Sequence, residues 1–210
     1  MLINYGMGNI RSVGNALTRL SASYFVSSDK DDLAKADAYI LPGVGAFSHA
    51  MANIAARGLF GPLTHEVMEK KKPFLGICLG MQLMAEDSME KGFHKGFGWL
   101  PGHVRKLDAH NGLRIPHVGW NELEIRNENQ LFTNVPPDAN FYFDHSYALC
   151  EADENMVAAL CDYGAPFVAA LRKGNLFGTQ FHPEKSHVQG LRVFRNFLNF
   201  VEYGTGNANA

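Results

Sequence analysis

Short apolar runs alternate with stretches of helical period through the first half of the chain. Leu2 to Tyr5, Tyr24 to Val26, Ala38 to Leu41 and Phe74 to Ile77 predict strands. Asn9 to Leu20, Ala46 to Arg57 and Pro62 to Lys71 predict helices between them, and a further helix is expected after Cys78. That alternation argues a parallel sheet with helices on both faces. The second half is richer in strands: Gly102 to Leu107, Gly119 to Ile125, Asn140 to Tyr147, Met156 to Cys161, Phe167 to Arg172 and Leu176 to His182. Their short, hairpin-like spacings predict antiparallel additions to the sheet. Val188 to Tyr203 predicts a closing helix whose Leu191, Phe194, Phe197 and Leu198 form an apolar stripe toward the core.

The 210 residues fit one domain, assigned to residues 1–203, with a small, polar, aperiodic tail over 204–210 expected to be disordered. With 46% apolar and 19% charged residues the chain has the composition of a folded enzyme rather than a disordered segment. A net charge of −2 offers no attraction for nucleic acid or a membrane surface. The predicted strand at Leu2 and Ile3 leaves no room for a signal peptide, and no apolar run approaches spanning length. Three widely spaced cysteines suit a reducing cytoplasm, and Cys150 and Cys161 are not at a metal-ligand spacing.

Three segments carry candidate chemistry. In Gly76-Ile77-Cys78-Leu79-Gly80 a cysteine follows an apolar strand and precedes a helix, the setting in which a nucleophile is presented at a sheet edge. Unpaired N–H groups at that helix start favour thiolate and can hold an anion. Taken alone, Cys78 reads more readily as a small buried hydrophobe ending a strand, and only the segments further along the chain turn that reading. In Phe181-His182-Pro183-Glu184 the i, i+2 spacing of an extended segment sets His182 and Glu184 on one face, with Pro183 stiffening the pair. A cysteine needs a base, and a base is better held by an acid, so Cys78, His182 and Glu184 are a candidate triad. A strand end with a surface salt bridge is the plain alternative. Gly43-Val44-Gly45 follows a strand; an N–H of this loop, paired with that of Leu79, would form an oxyanion hole, and a plain turn is again the alternative. All of these segments fall at strand ends, where ligands bind in such sheets.

Together the motifs resemble the class I (triad) glutamine amidotransferases, and within them the glutaminase subunit of imidazole glycerol phosphate synthase. The opening Asn4-Tyr5-Gly6-Met7-Gly8-Asn9-Ile10-Arg11-Ser12-Val13, Pro116-His117-Val118-Gly119-Trp120-Asn121, Phe141-Tyr142-Phe143-Asp144-His145-Ser146-Tyr147 and His182-Pro183-Glu184-Lys185-Ser186 spread that resemblance over nearly the whole chain. It implies a flavodoxin-like α/β fold with a central, mixed, mostly parallel sheet. It implies glutamine hydrolysis by Cys78, His182 and Glu184, with Gly43, Val44, Gly45 and Leu79 around the oxyanion. Gln82, Glu90, Ser146 and Tyr147 would bind substrate, and no metal or cofactor is expected.

The implied partner is a HisF-type cyclase in a cytoplasmic heterodimer, receiving ammonia for histidine biosynthesis, with Trp120, Tyr142 and Lys185 facing it. Two departures from the family pattern, Asn4 for a commoner Asp and Asp144 for a commoner apolar residue, leave the triad untouched. With the stretch from Lys91 to Trp99 they keep open a paralogue that supplies ammonia for a surface-polysaccharide sugar. A catalytically silent binding subunit and a stand-alone γ-glutamyl hydrolase are the readings from other classes.

Overall fold

A computed structural model describes residues 1–108, 112–126 and 129–204. In chain order the strands are β1 (Leu2–Ile3), β2 (Val26–Ser27), β3 (Tyr39–Gly43), β4 (Phe74–Cys78), β5 (Asp87–Ser88), β6 (His94–Lys95) and β7 (His103–Lys106). They continue with β8 (His117–Glu122), β9 (Glu124–Ile125), β10 (Asn140–His145), β11 (Tyr147–Cys150), β12 (Val157–Asp162), β13 (Pro166–Lys173) and β14 (Leu176–Thr179). The main sheet has eight strands in the order β2-β1-β3-β4-β14-β13-β12-β9. From β2 to β14 neighbours run parallel, and from β14 to β9 they run antiparallel. The mixed, mostly parallel centre therefore matches expectation, but not every later strand joins it. β8 and β10 pair on their own, and β11-β7-β5-β6 form a four-stranded sheet. Hairpin-like spacing says that strands pair; it does not say which sheet they pair in.

Each side of the main sheet buries its own apolar layer, because successive strand residues point to opposite faces. Ile40, Leu75 and Ile77 pack on one side with Val13 and Leu17 of α1 (Ile10–Arg19) and Phe194 and Phe197 of α5 (His187–Tyr203). Tyr39, Leu41 and Phe74 pack on the other with Phe47 and Ile54 of α2 (Phe47–Ala56) and Leu63 of α3 (Phe60–Thr64). Helix α3 starts earlier than the apolar pattern predicts and widens into a π-turn over His65–Glu69. The helix after Cys78, α4, runs only from Leu79 to Gln82. Gly204, assigned to the tail from sequence, closes α5 at φ 64° with its N–H on the Phe200 carbonyl; the rest of that tail lies outside the described residues.

Pro183–Lys185 form a 3₁₀ turn against the start of α5, and Gly190 is the point of contact. A Cβ on Gly190 would run into the carbonyl of Pro183. Gly61 of α3 has open space around the same position. Helix propensity alone would reward alanine at either site by up to ~1 kcal/mol. Gly61→Ala should therefore be neutral to mildly stabilising in urea unfolding, whereas Gly190→Ala should cost ~1–3 kcal/mol because backbone must shift.

Candidate active site

Cys78 ends β4, which lies between β3 and β14 in parallel register. The register sets Gly43 opposite Cys78 on one side and Thr179 opposite Ile77 on the other, so Gln180 is the next residue along from that pair. At Cys78 the chain leaves the strand with φ 53° and ψ −108°, a strained turn for a residue with a Cβ. Small residues make the reversal fit. A Cβ on Gly80 would meet the Leu41 carbonyl, and one on Gly43 would meet the Tyr5 hydroxyl and the backbone N of Gly80. The cysteine is buried at 6% exposure and opens into a cleft of about 650 Å³.

His182 lines the same cleft. Its Nδ1 is 2.8 Å from Glu184 Oε1, and both side chains are almost fully enclosed, at 2% and 1% exposure. The pairing expected from sequence is present, by a different local route. Glu184 lies in the 3₁₀ turn that follows His182 and folds back to it, rather than continuing an extended segment. Strand β14 itself stops at Thr179. The turn is held from outside: the His182 N–H donates to the Tyr142 carbonyl at 2.8 Å, and the Ser186 hydroxyl donates to the His182 carbonyl at 2.7 Å. Burial alone would push the His182 imidazole down, yet the charge and hydrogen bond of the Cys78 sulfur, then those of Glu184, hold it up at about 10. Since this lies above the ordinary 6.5, the pair stabilises the fold fully below about 6.5 and loses that contribution as pH rises through about 10.

Val44, Gly45 and Leu79 line the cleft, with Val44 41% exposed and Gly45 at φ 95°. Gly43 lies behind them at the end of β3. Gln82, Glu90, Ser146 and Tyr147 line the cleft too. Glu90 Oε2 accepts the Phe47 N–H at 2.7 Å, which caps α2 where Ala46 has no side chain to do so. The Gln82 amide donates to the Tyr147 carbonyl at 2.7 Å and to Gln180 Oε1 at 3.0 Å, so Oε1 is the atom Gln82 has left to offer a ligand.

Sequence reasoning missed three residues of this neighbourhood. Gln180 is fully buried, and its amide donates to Cys78 Sγ at 3.5 Å. His145 Nδ1 is 2.9 Å from the Tyr147 carbonyl, and its Nε2 is 3.3 Å from His117 Nδ1. A carbonyl can only accept, so His145 carries its proton on Nδ1 and accepts from His117 through Nε2. Burial lowers His145 to about 3 and His117 to about 4, so both rings are neutral at pH 7. The signal for Gln180 was in view: it stands two residues before His182, the same spacing used to group His182 with Glu184.

Trp120, Tyr142 and Lys185 come together on the surface beside this turn. The indole of Trp120, 46% exposed, stacks on His187 with 5.0 Å between centroids and meets Tyr142 edge-on at 5.9 Å. Lys185 Nζ lies 5.0 Å from the Tyr142 ring centroid and 3.6 Å from Asp144 Oδ2. Asp144 is thereby the counter-charge of a predicted surface cation, and Asn4, the other departure, accepts the Gly6 N–H in a local turn. Among the described residues no helix is long and apolar enough to cross a membrane.

The glutamine amidotransferase class-I family model matches residues 1–200. The chain is 44% identical to imidazole glycerol phosphate synthase subunit HisH of Moorella thermoacetica, over 99% of this chain and 97% of that one. It is 45% identical to subunit HisH 1 of Campylobacter jejuni strain RM1221, over 94% and 98% respectively. Among solved structures it superposes on a glutamine amidotransferase with a TM-score of 0.75 at 20% identity, over 96% and 98% of the two chains. It also superposes on PurLQS from Thermotoga maritima at 0.67 and 24%, over 95% and 97%, and these two likenesses concern the fold. A strained cysteine turn, a buried histidine–glutamate pair and a match over nearly the full length converge: the chain belongs to the class I glutamine amidotransferases.

Proposed function

We propose that the chain is the glutaminase subunit of an imidazole glycerol phosphate synthase, hydrolysing glutamine and passing ammonia to a HisF-type cyclase in histidine biosynthesis. The observation that carries the chemistry is Cys78 at φ 53°, facing one cleft with a His182 that is held charged. The full-length likeness to HisH subunits supports the pathway.

In this reading the Cys78 thiolate attacks the side-chain amide carbon of glutamine, forming a C–S bond and a tetrahedral oxyanion. Backbone N–H groups of the Gly43, Val44 and Gly45 loop and of Leu79 hold that oxygen; losing one such donor costs ~3 kcal/mol. The His182 imidazolium gives its proton to the departing nitrogen, the C–N bond breaks, and ammonia leaves a γ-glutamyl thioester. Neutral His182 then takes a proton from water, whose oxygen attacks the thioester, and glutamate is released as the thiolate returns. Glu184 keeps His182 oriented and favours its charged form. The free Oε1 of Gln82 and the Glu90 carboxylate offer acceptors for the substrate ammonium, and Ser146 and Tyr147 offer backbone.

Ammonia released into water at neutral pH is mostly protonated and useless as a nucleophile, so a synthase must receive it directly. The exposed Trp120, Tyr142 and Lys185 patch suits that contact: two aromatics and a cation are the side chains on which interface energy concentrates. The three free thiols, Cys78, Cys150 and Cys161, suit the cytoplasm.

The decisive assay is glutamate release from glutamine by the chain alone and with a HisF-type cyclase plus its nucleotide ligand. Stimulation of tenfold or more by the liganded cyclase is expected; full activity already in isolation would break the coupled reading, and low activity that the cyclase fails to raise, with Cys78 still labelled by a glutamine-analogue electrophile, would point to another synthase. Cys78→Ala should abolish glutamine-dependent synthesis while sparing synthesis from ammonium salts, and loss of both would refute the division of labour. Glu184→Gln should lower kcat by roughly 10²–10⁴-fold. It should also move the alkaline limb of the rate profile to lower pH, because the carboxylate helps hold His182 near 10. Trp120→Ala should weaken cyclase binding by about 2 kcal/mol in a titration.

A further inference from the structure

Beyond the triad, we propose that Gln180 is a catalytic residue of this site, a fixed N–H donor that stabilises the Cys78 thiolate; the inference rests on Cys78 being the nucleophile. A glutamine amide can present either its oxygen or its nitrogen, and only the nitrogen would favour an anion. Here the choice is made elsewhere in the fold. The Tyr147 carbonyl can only accept, so the Gln82 atom 2.7 Å from it is Nε2. The second proton of that Nε2 then points to Gln180, which must answer with Oε1 at 3.0 Å. With its oxygen committed, Gln180 has only Nε2 left for Cys78 Sγ, at 3.5 Å. Neutral His145, whose tautomer that carbonyl fixes, donates to the same Tyr147 oxygen at 2.9 Å and holds it in place.

The backbone explains why the donor arrives on time and stays. Register aligns Thr179 of β14 with Ile77 of β4, which brings Gln180 alongside Cys78. The Gln180 N–H continues the ladder by donating to the Ala169 carbonyl at 2.8 Å, and the residue is fully buried. The amide is shielded from solvent, and a donor to an ionised sulfur in such surroundings is worth more than one at a surface. His182 must part with its proton during turnover. Gln180 cannot, so it stabilises the sulfur anion both before attack and when the thioester collapses.

Gln180→Glu separates this role from simple packing. The carboxylate has nearly the same shape and still accepts from Gln82, but it no longer donates to the sulfur. Alkylation of Cys78 by iodoacetamide should fall at least roughly tenfold at neutral pH. The ratio to the wild type should close as pH rises and the thiol ionises in both proteins. Gln180→Met, which removes the donor without adding charge, should show the same closing ratio with a smaller drop, and serves where the glutamate variant fails to fold. In glutamine hydrolysis kcat should fall in step with alkylation, with KM little changed. Equal alkylation rates in wild type and variants, or a deficit that is flat with pH, would overturn the proposal. Failure of a diazo-ketone analogue of glutamine to label wild-type Cys78 would instead overturn the parent reading, so the two failures are told apart.

Discussion

The backbone at Cys78 occupies a region that an L-residue enters only when its surroundings leave no choice. Such a conformation costs on the order of 1–3 kcal/mol, and it persists when both flanks are over-determined. Here β4 is paired with β14 from Phe74 to Ile77 and with β3 from Phe74 to Cys78, so the strand cannot relax before Cys78. Directly after it Gly80 is packed against the Leu41 carbonyl, and Gly76 against the backbone of Gly80 and Met81, so α4 cannot swing away. All the bending falls on one residue. Its sulfur is therefore aimed out of the sheet, and whatever stands at the ends of β3 and β14 becomes its chemical environment. The Gly43 loop, Gln180 and His182 are at those two ends for that topological reason.

Electrostatics then separates histidines that burial treats alike. His182, His117 and His145 are 2%, 2% and 6% exposed, so each pays a desolvation cost for carrying charge. His145 and His117 fall to about 3 and 4 because burial penalises their charged forms; at His145 the Tyr147 carbonyl gives part of that back, and the charges of His117 and His182 push the other way. His182 rises to about 10 because a sulfur and a carboxylate flank it. The outcome is decided by neighbours rather than depth. A neutral pair serves as scaffolding for the Tyr147 carbonyl, and the charged ring is the one placed to move a proton.

Much of this was legible in the sequence. The alternation of strand and helix, the cysteine turn and the His-Pro-Glu segment depend on local patterns, and local patterns survive in one dimension. What was lost depends on partners far along the chain. Strands β5 and β6 have two residues each, too short to show any period. The assignment of β8, β10 and β11 to separate sheets is a packing outcome that spacing does not encode. Glu184 reached His182 through a turn rather than along a strand, because α5 begins at His187 and Gly190 draws the Pro183 backbone in against it. Gln180 and His145 looked like ordinary strand residues until their amide and ring atoms were placed beside groups about 100 and 30 positions away.

The same contacts bear on how a partner could control the reaction. His182 is fixed by its N–H on Tyr142, its carbonyl under Ser186 and its ring on Glu184, and Tyr142 belongs to the surface patch that would meet the cyclase. A segment held at three points, two of them inside a buried turn, is poorly suited to switching. The Gly43 to Ala46 loop is held differently. Val44 is 41% exposed, Gly45 sits at a positive φ open to glycine alone among unstrained residues, and the capping bond from Phe47 to Glu90 lies just beyond it. In the proposed coupling to a liganded partner, the adjustable part is then the loop that would hold the oxyanion, with Cys78 and His182 standing ready. Control would then act on the stabilisation of charge in the transition state, where each backbone donor is worth ~3 kcal/mol, while Cys78, His182 and Glu184 stay in place throughout.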